Sequence, residues 1–288
     1  MKKPLYNRRK FVQSSAFGLF SLSAIRTVCA KNVHSAIAET PPEEEKLFYR
    51  YPALPDTLVA EVVGAAHARF DRVKELVRKR SELANATWDW GFGDIESAIG
   101  AAAHMGRSDI ARFLLDHGAR PDHFTFAMLG EVDALKAMIE AQPGLQRTPG
   151  PHGISLLQHA KIRIIRDNVK EEERKKVAQT IAYLESLGDA DNRATSLVVS
   201  KEEQKIYLGE YRFGKGEDEI FEVKINSRGL LSIARKETFG RVMNKVDKHI
   251  FSPGGAPSVK ISFKIEASKA ISLTIHEPEP LVLAHRVQ

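Results

Sequence analysis

Ten histidines and a single cysteine bound the chemistry open to this chain of 288 residues. Cys29 stands alone, so no intramolecular disulfide and no thiolate zinc site can form. No Ser-x-x-Lys and no Gly-x-Ser-x-Gly occurs, which removes those two serine-nucleophile signatures. His-Glu-x-x-His is absent as well. By spacing, His117, Asp122 and His123 are the group that would hold a divalent ion, but loop histidines and aspartates more often finish turns. The expectation is a chain with no catalytic group, no cofactor and no metal ligands.

Recognition chemistry is better represented. Both tryptophans fall in Thr87-Trp88-Asp89-Trp90-Gly91-Phe92-Gly93-Asp94. Three aromatics in five residues, spaced by glycines, suit one of two roles. Either the rings form a small cluster that folds the loop back, or they are exposed anchors, since Trp and Tyr dominate interface hot spots. With their surroundings they make Trp88, Asp89, Trp90, Phe92, Asp94, Glu96, His104, Met105, His123 and His152 the candidate partner contacts. The turn-rich Arg147-Thr148-Pro149-Gly150-Pro151-His152-Gly153 reads as a rigid connector or a second binding loop.

Short helices must position these loops. Helical periodicity runs from about Leu58 to Gly188, and the chain overlays itself at a shift of 37 residues, His67–Val73 on His104–Ile110. Ala102-Ala103-His104-Met105-Gly106-Arg107-Ser108-Asp109-Ile110, followed by Leu114-Leu115-Asp116-His117-Gly118-Ala119, resembles the body of an ankyrin repeat. Further helix pairs follow through Phe126–Ile139 and Gly153–Asp191. The resemblance implies a protein-binding scaffold whose loops project as fingers, with His104 and His117 at positions the family commonly leaves exposed. Ser97-Ala98-Ile99-Gly100 and Ser155-Leu156-Leu157-Gln158 replace the family's Thr-Pro-Leu-His start. Serine still caps a helix, but the proline and the imidazole network of that start are expected to be missing. The last second helix is enlarged, and the charged run Lys170–Lys176 reads as a solvated face.

After Arg193 the period becomes two, as in Phe221–Ile225 and Val259–Ile265, which predicts antiparallel strands with one buried face. Asn226–Gly229 and Glu266–Lys269 read as hairpin loops and Ser252–Pro257 as a longer turn, with Ile271–Ile275 and Leu281–Leu283 as closing strands. Tyr207-Leu208-Gly209-Glu210-Tyr211 and the final hairpin resemble the small accessory β domain of penicillin-binding and β-lactamase-type serine hydrolases. In that family the chemistry belongs to a separate catalytic domain, so the resemblance implies no activity here.

The formal charge of +6 sits in the first 30 residues, which hold six Lys and Arg and no acid and leave 37 residues of each sign beyond. A balanced remainder argues against nucleic acid, which requires clustered cations. Asn7-Arg8-Arg9-Lys10-Phe11-Val12-Gln13 resembles the twin-arginine export motif, carried by Arg8, Arg9 and Phe11, and the apolar run behind it is too short and polar to span a membrane. The expected plan is a signal peptide over 1–30, a linker over 31–56, an ankyrin-like array over 57–192 and an antiparallel β domain, barrel or curved sheet, over 193–288: an α+β multidomain chain. Its expected role is an exported module that binds an envelope or extracellular protein. The alternative is a carrier for a small apolar ligand held in the β domain.

Overall fold

Serine and aspartate side chains start many of the helices. In the computed structural model, which describes residues 50–167 and 169–287, Ser97 Oγ accepts from the Gly100 amide and Ser155 Oγ from the Gln158 amide. Asp122 Oδ1 does the same for Thr125. Each cap satisfies one amide that the first turn leaves without a helical partner. The capped helices are α3 (Ala98–His104), α7 (Leu156–Ile164) and α5 (His123–Leu129). Each is the first of a pair, followed by α4 (Ser108–Asp116), α8 (Glu171–Ser186) and α6 (Val132–Ala141). Before them stand α1 (Asp56–Ala66) and α2 (Phe70–Lys79). The enlarged last helix is there: α8 has 16 residues.

The four pairs stack, with α3 between α1 and α5, and α5 in turn against α7. Every residue of α3 is buried, and four of its seven are alanine. Side chains that small let the neighbouring helices approach closely, and this closeness sets the distance between whatever larger groups end those helices. Gly106 turns the chain into α4 at φ +66°, where a Cβ would lie 3.1 Å from the Ile162 carbonyl oxygen. Only glycine meets both conditions.

Between α2 and α3 the aromatic segment forms a two-stranded ribbon, β1 (Thr87–Asp89) with β2 (Ile95–Ser97), in which Trp88 faces Glu96. It does not project freely. Trp88 and Trp90 pack on the core of the first helix pairs, and Phe92 at the tip packs on the core of the β domain.

The β domain is a closed antiparallel barrel of eight strands: β3 (Gly209–Arg212), β4 (Ile220–Ile225), β5 (Leu231–Arg235), β6 (Arg241–Asp247), β7 (Ile250–Pro253), β8 (Lys260–Glu266), β9 (Lys269–His276) and β10 (Pro280–Arg286). Each strand pairs with the next, and β10 closes on β3 through Arg286↔Tyr211. The chain turns at the loops expected over 226–229 and 266–269, the latter through Ala267 and Ser268, both at positive φ, while the turn expected over 252–257 begins only after Pro253, since Ser252 and Pro253 belong to β7. Tyr207, at the end of α9 (Lys201–Tyr207), is buried against Phe251 and Phe263, and Tyr211 Oη donates to its carbonyl. With Ile233, Ile261 and Leu273 these rings pack together in the interior as one core.

Pro52–Gln288 is one compact unit. Arg8, Arg9 and Phe11 lie outside the described residues, as do the whole expected leader and most of the expected linker. Among the described residues no helix is long and apolar enough to cross a membrane.

Candidate metal centre

Stacking equivalent helices side by side also stacks their ends. His67 follows α1 and His104 ends α3, the two positions superposed by the 37-residue shift, and their rings meet edge to face at 4.9 Å. A third ring, His152, arrives from the turn before α7 at φ +60° and lies 5.1 Å from that of His104. Between them Glu96 rises from β2, its side chain wholly shut off from solvent. His67, Glu96, His104 and His152 each offer one ligand atom, and these atoms all lie within 4.8 Å of one another.

The contacts within the group are those of ligands around a common centre. His104 Nδ1 lies 2.9 Å from Glu96 Oε1, His67 Nε2 3.4 Å from Glu96 Oε2, and His152 Nε2 3.5 Å from Glu96 Oε1. Four ligands set tetrahedrally about 2.1 Å from a zinc ion are separated by about 3.4 Å. Although His104 Nδ1 and Glu96 Oε1 are close, neither is in hydrogen-bond alignment with any partner, and both are buried. A buried donor and acceptor at that distance would normally align, because leaving them unmatched costs about 1–3 kcal/mol each. Two lone pairs directed at a shared third atom need no such alignment.

Outer contacts hold two of the imidazoles from behind, and for His67 they also set the tautomer. His67 Nδ1 is 3.1 Å from the Val63 carbonyl oxygen, which can only accept, so the hydrogen is on Nδ1 and the lone pair of Nε2 faces Glu96. His152 Nδ1 is 2.7 Å from Asp94 Oδ2, and its backbone amide donates to Asp94 Oδ1 at 2.8 Å. Arg241 Nη1 lies 2.7 Å from the same Nδ1, so that nitrogen is engaged from outside the group while Nε2 faces Glu96. A carboxylate or carbonyl behind each ligating imidazole is the usual support of a metal-bound histidine. Trp90 Nε1–H donates to Glu96 Oε2 at 2.7 Å, holding the carboxylate in place.

Asp94 is shared with the barrel. Arg241, which opens β6, reaches its Oδ2 at 2.7 Å. Gly255, in the turn after β7, lies so close that a Cβ there would sit 2.4 Å from Asp94 Cγ.

The protonation states suit a cation. Burial pushes the Glu96 carboxyl up, but the hydrogen-bonding reach of His104 and the positive charge that His104, His152 and His67 carry when protonated outweigh it and hold the group below the usual carboxylate range. Burial lowers the His67 imidazole against the pull of Glu96, which favours the neutral ligating form. Asp94 is likewise held low: His152 and Arg241 outweigh its burial. The side chains of His67 and His152 keep 26% and 22% of their exposure, so the group opens to solvent on that side alone.

Several expectations change on this geometry. His104, expected exposed, is buried, because α3 is enclosed by its neighbours. A different imidazole cluster, not anticipated from the sequence, joins the C-terminal ends of two first helices to the turn before a third. Of the ten candidate contacts, Asp94, Glu96, His104 and His152 come together, with Trp90 touching them. Trp88 packs on the helical core and Phe92 on the barrel, Asp89 Oδ1 caps the Gly91 amide, and the Met105 carbonyl accepts from Arg166. His117, Asp122 and His123 do not form a group: His117 bonds the Phe113 carbonyl, Asp122 caps α5 and His123 lies against the Phe124 ring. His67 was missed, though its superposition on His104 was the signal that could have found it.

No protein-family model matches the chain, and no curated protein is similar to it.

Proposed function

We propose that this chain is a metal-binding protein whose centre is the three-histidine, one-carboxylate group at the seam of helical array and barrel. The observation that carries this reading is the buried His104 Nδ1–Glu96 Oε1 contact, close yet unaligned, beside two further imidazoles, His67 and His152, whose Nδ1 atoms are already engaged. Imidazole with a carboxylate suits zinc, iron, nickel or copper in preference to magnesium or calcium, which take oxygen ligands.

The helix pairs resemble an ankyrin array, and in this proposal their stacking is the device that brings ligands of successive pairs together. Binding, without turnover, is the activity proposed, in keeping with a sequence that carries neither serine-nucleophile signature. Export by the twin-arginine route and residence in the envelope are part of the same proposal and rest on Arg8, Arg9 and Phe11. The aromatic segment is left out of any partner surface, because its rings pack on the chain's own two cores.

The test is a cobalt(II) titration of the full chain, read in the visible bands of the ion and checked by metal analysis after dialysis. One ion per chain, lost in Glu96→Gln and in His104→Ala with the circular dichroism retained, is the expected result. A wild-type protein that retains no ion, or variants that bind as well as wild type, would overturn the reading.

A further inference from the structure

One buried side chain beside the centre has donors to spare. The Arg241 side chain is 6% exposed, and only one nitrogen of its guanidinium is engaged: Nη1, on Asp94 Oδ2 and His152 Nδ1. Nε and Nη2 are buried without a hydrogen-bond partner. Those two nitrogens lie along one edge of the planar guanidinium and present parallel hydrogens, the fork that matches two oxygens of a carboxylate. A lysine would need no such edge, and an arginine retained only to pair with Asp94 would leave two buried donors bare, at about 1–3 kcal/mol each.

Charge points the same way. Asp94 and Arg241 cancel, and histidines bind a metal as neutral imidazoles, which leaves Glu96 as the only other charge among the ligands and their supports. A divalent ion bound there leaves one positive charge in a largely buried site, which is costly unless an anion joins it. Asp89 also pulls on Arg241, but it is exposed and screened by water.

We infer that the metal ion and the free edge of Arg241 together bind a small oxyanion of the carboxylate class; the inference rests on the metal-binding reading. The Arg241 donors are shut off from solvent, so binding requires the turn before β6 to shift. That turn carries Phe239, 73% exposed, whose ring meets Trp90 at 6.2 Å.

The experiment uses the cobalt-loaded full chain titrated with oxalate, and with phosphate as a second oxyanion, while the visible bands are followed. In wild type, oxalate shifts the bands saturably. Arg241→Met and Arg241→Lys keep the cobalt but bind oxalate at least about tenfold more weakly, since the lysine preserves charge without the fork. Should the methionine variant fail to fold, the lysine variant decides. Phosphate binding more tightly than oxalate would overturn the carboxylate class. Cobalt bands indifferent to both anions, or shifted equally in the lysine variant, would overturn the inference and leave the metal-binding reading standing. A wild-type chain that holds no cobalt would end both.

Discussion

Gly255→Ala should damage the seam far more than an exposed glycine substitution of the same backbone kind. Gly255 has φ +85°, and an added Cβ would lie 2.4 Å from Asp94 Cγ and Oδ1 and 2.8 Å from Oδ2. The backbone cost of an L-residue in the left-handed region is about 1–2 kcal/mol. The side-chain cost comes on top. Asp94 must retreat from His152 and Arg241, and removing one partner of a buried ion pair costs about 3–5 kcal/mol. Even if relaxation recovers half of the second figure, the total is roughly 3–4 kcal/mol. Gly118→Ala supplies the control: φ is +87° and nothing lies within 4 Å of the added Cβ, so only the backbone term applies. Urea unfolding of the two variants at neutral pH reads the difference directly. A cobalt titration of the folded Gly255 variant should also show metal affinity reduced by about 10–100-fold, the usual cost of losing the group behind a ligating histidine. If the two alanine variants agree in stability to within about 0.5 kcal/mol, the packing of Asp94 against the barrel turn is not what locks the seam.

Trp90→Phe keeps the ring on the helical core but deletes the donor to Glu96; it should cost about 1.5–3 kcal/mol in thermal or urea melts, as hydrogen bonds to charged groups do. Arg163 grips Glu173 through Nε and Nη2 at 3.0 and 2.8 Å and holds its carboxyl below the usual range. A carboxyl lowered in the folded state stabilises above its unfolded value and loses that contribution as pH falls through the folded one. Stability measured from pH 6 downward should therefore fall less steeply in Glu173→Gln than in wild type, beginning below about pH 4.3. Export rests on the paired arginines, so Arg8→Lys with Arg9→Lys should leave the precursor in the cytoplasm on fractionation, and unchanged secretion would remove that argument.

Local physics was legible in the chain, and long-range closure was not. Ser97 and Ser155 cap helices as their chemistry dictates, Gly106 and Gly118 take the left-handed turns, and the two-residue alternation of Phe221–Ile225 and Val259–Ile265 becomes strands. Each of these depends on a few neighbouring residues. The closing of β10 on β3 depends on how the twist of every intervening hairpin accumulates, and alternation alone allows an open sheet as readily as a barrel. The aromatic segment was ambiguous for a related reason. Whether Phe92 is wet depends on a barrel more than a hundred residues further along the chain.

The centre was hidden by the same distance, but not wholly. Metal motifs place ligands a turn apart on one helix, whereas here they belong to successive layers of a stack. Stacked layers superpose equivalent positions, so His67 and His104, one shift apart in sequence, become neighbours in space. That column supplies two of the proposed ligands; Glu96 stands one strand ahead of the second, and His152 enters on a turn that the periodicity does not govern. Where helix pairs stack, then, the place to look for a metal site is a column of aligned positions, because the distance that counts is the spacing between layers and not the spacing along the chain.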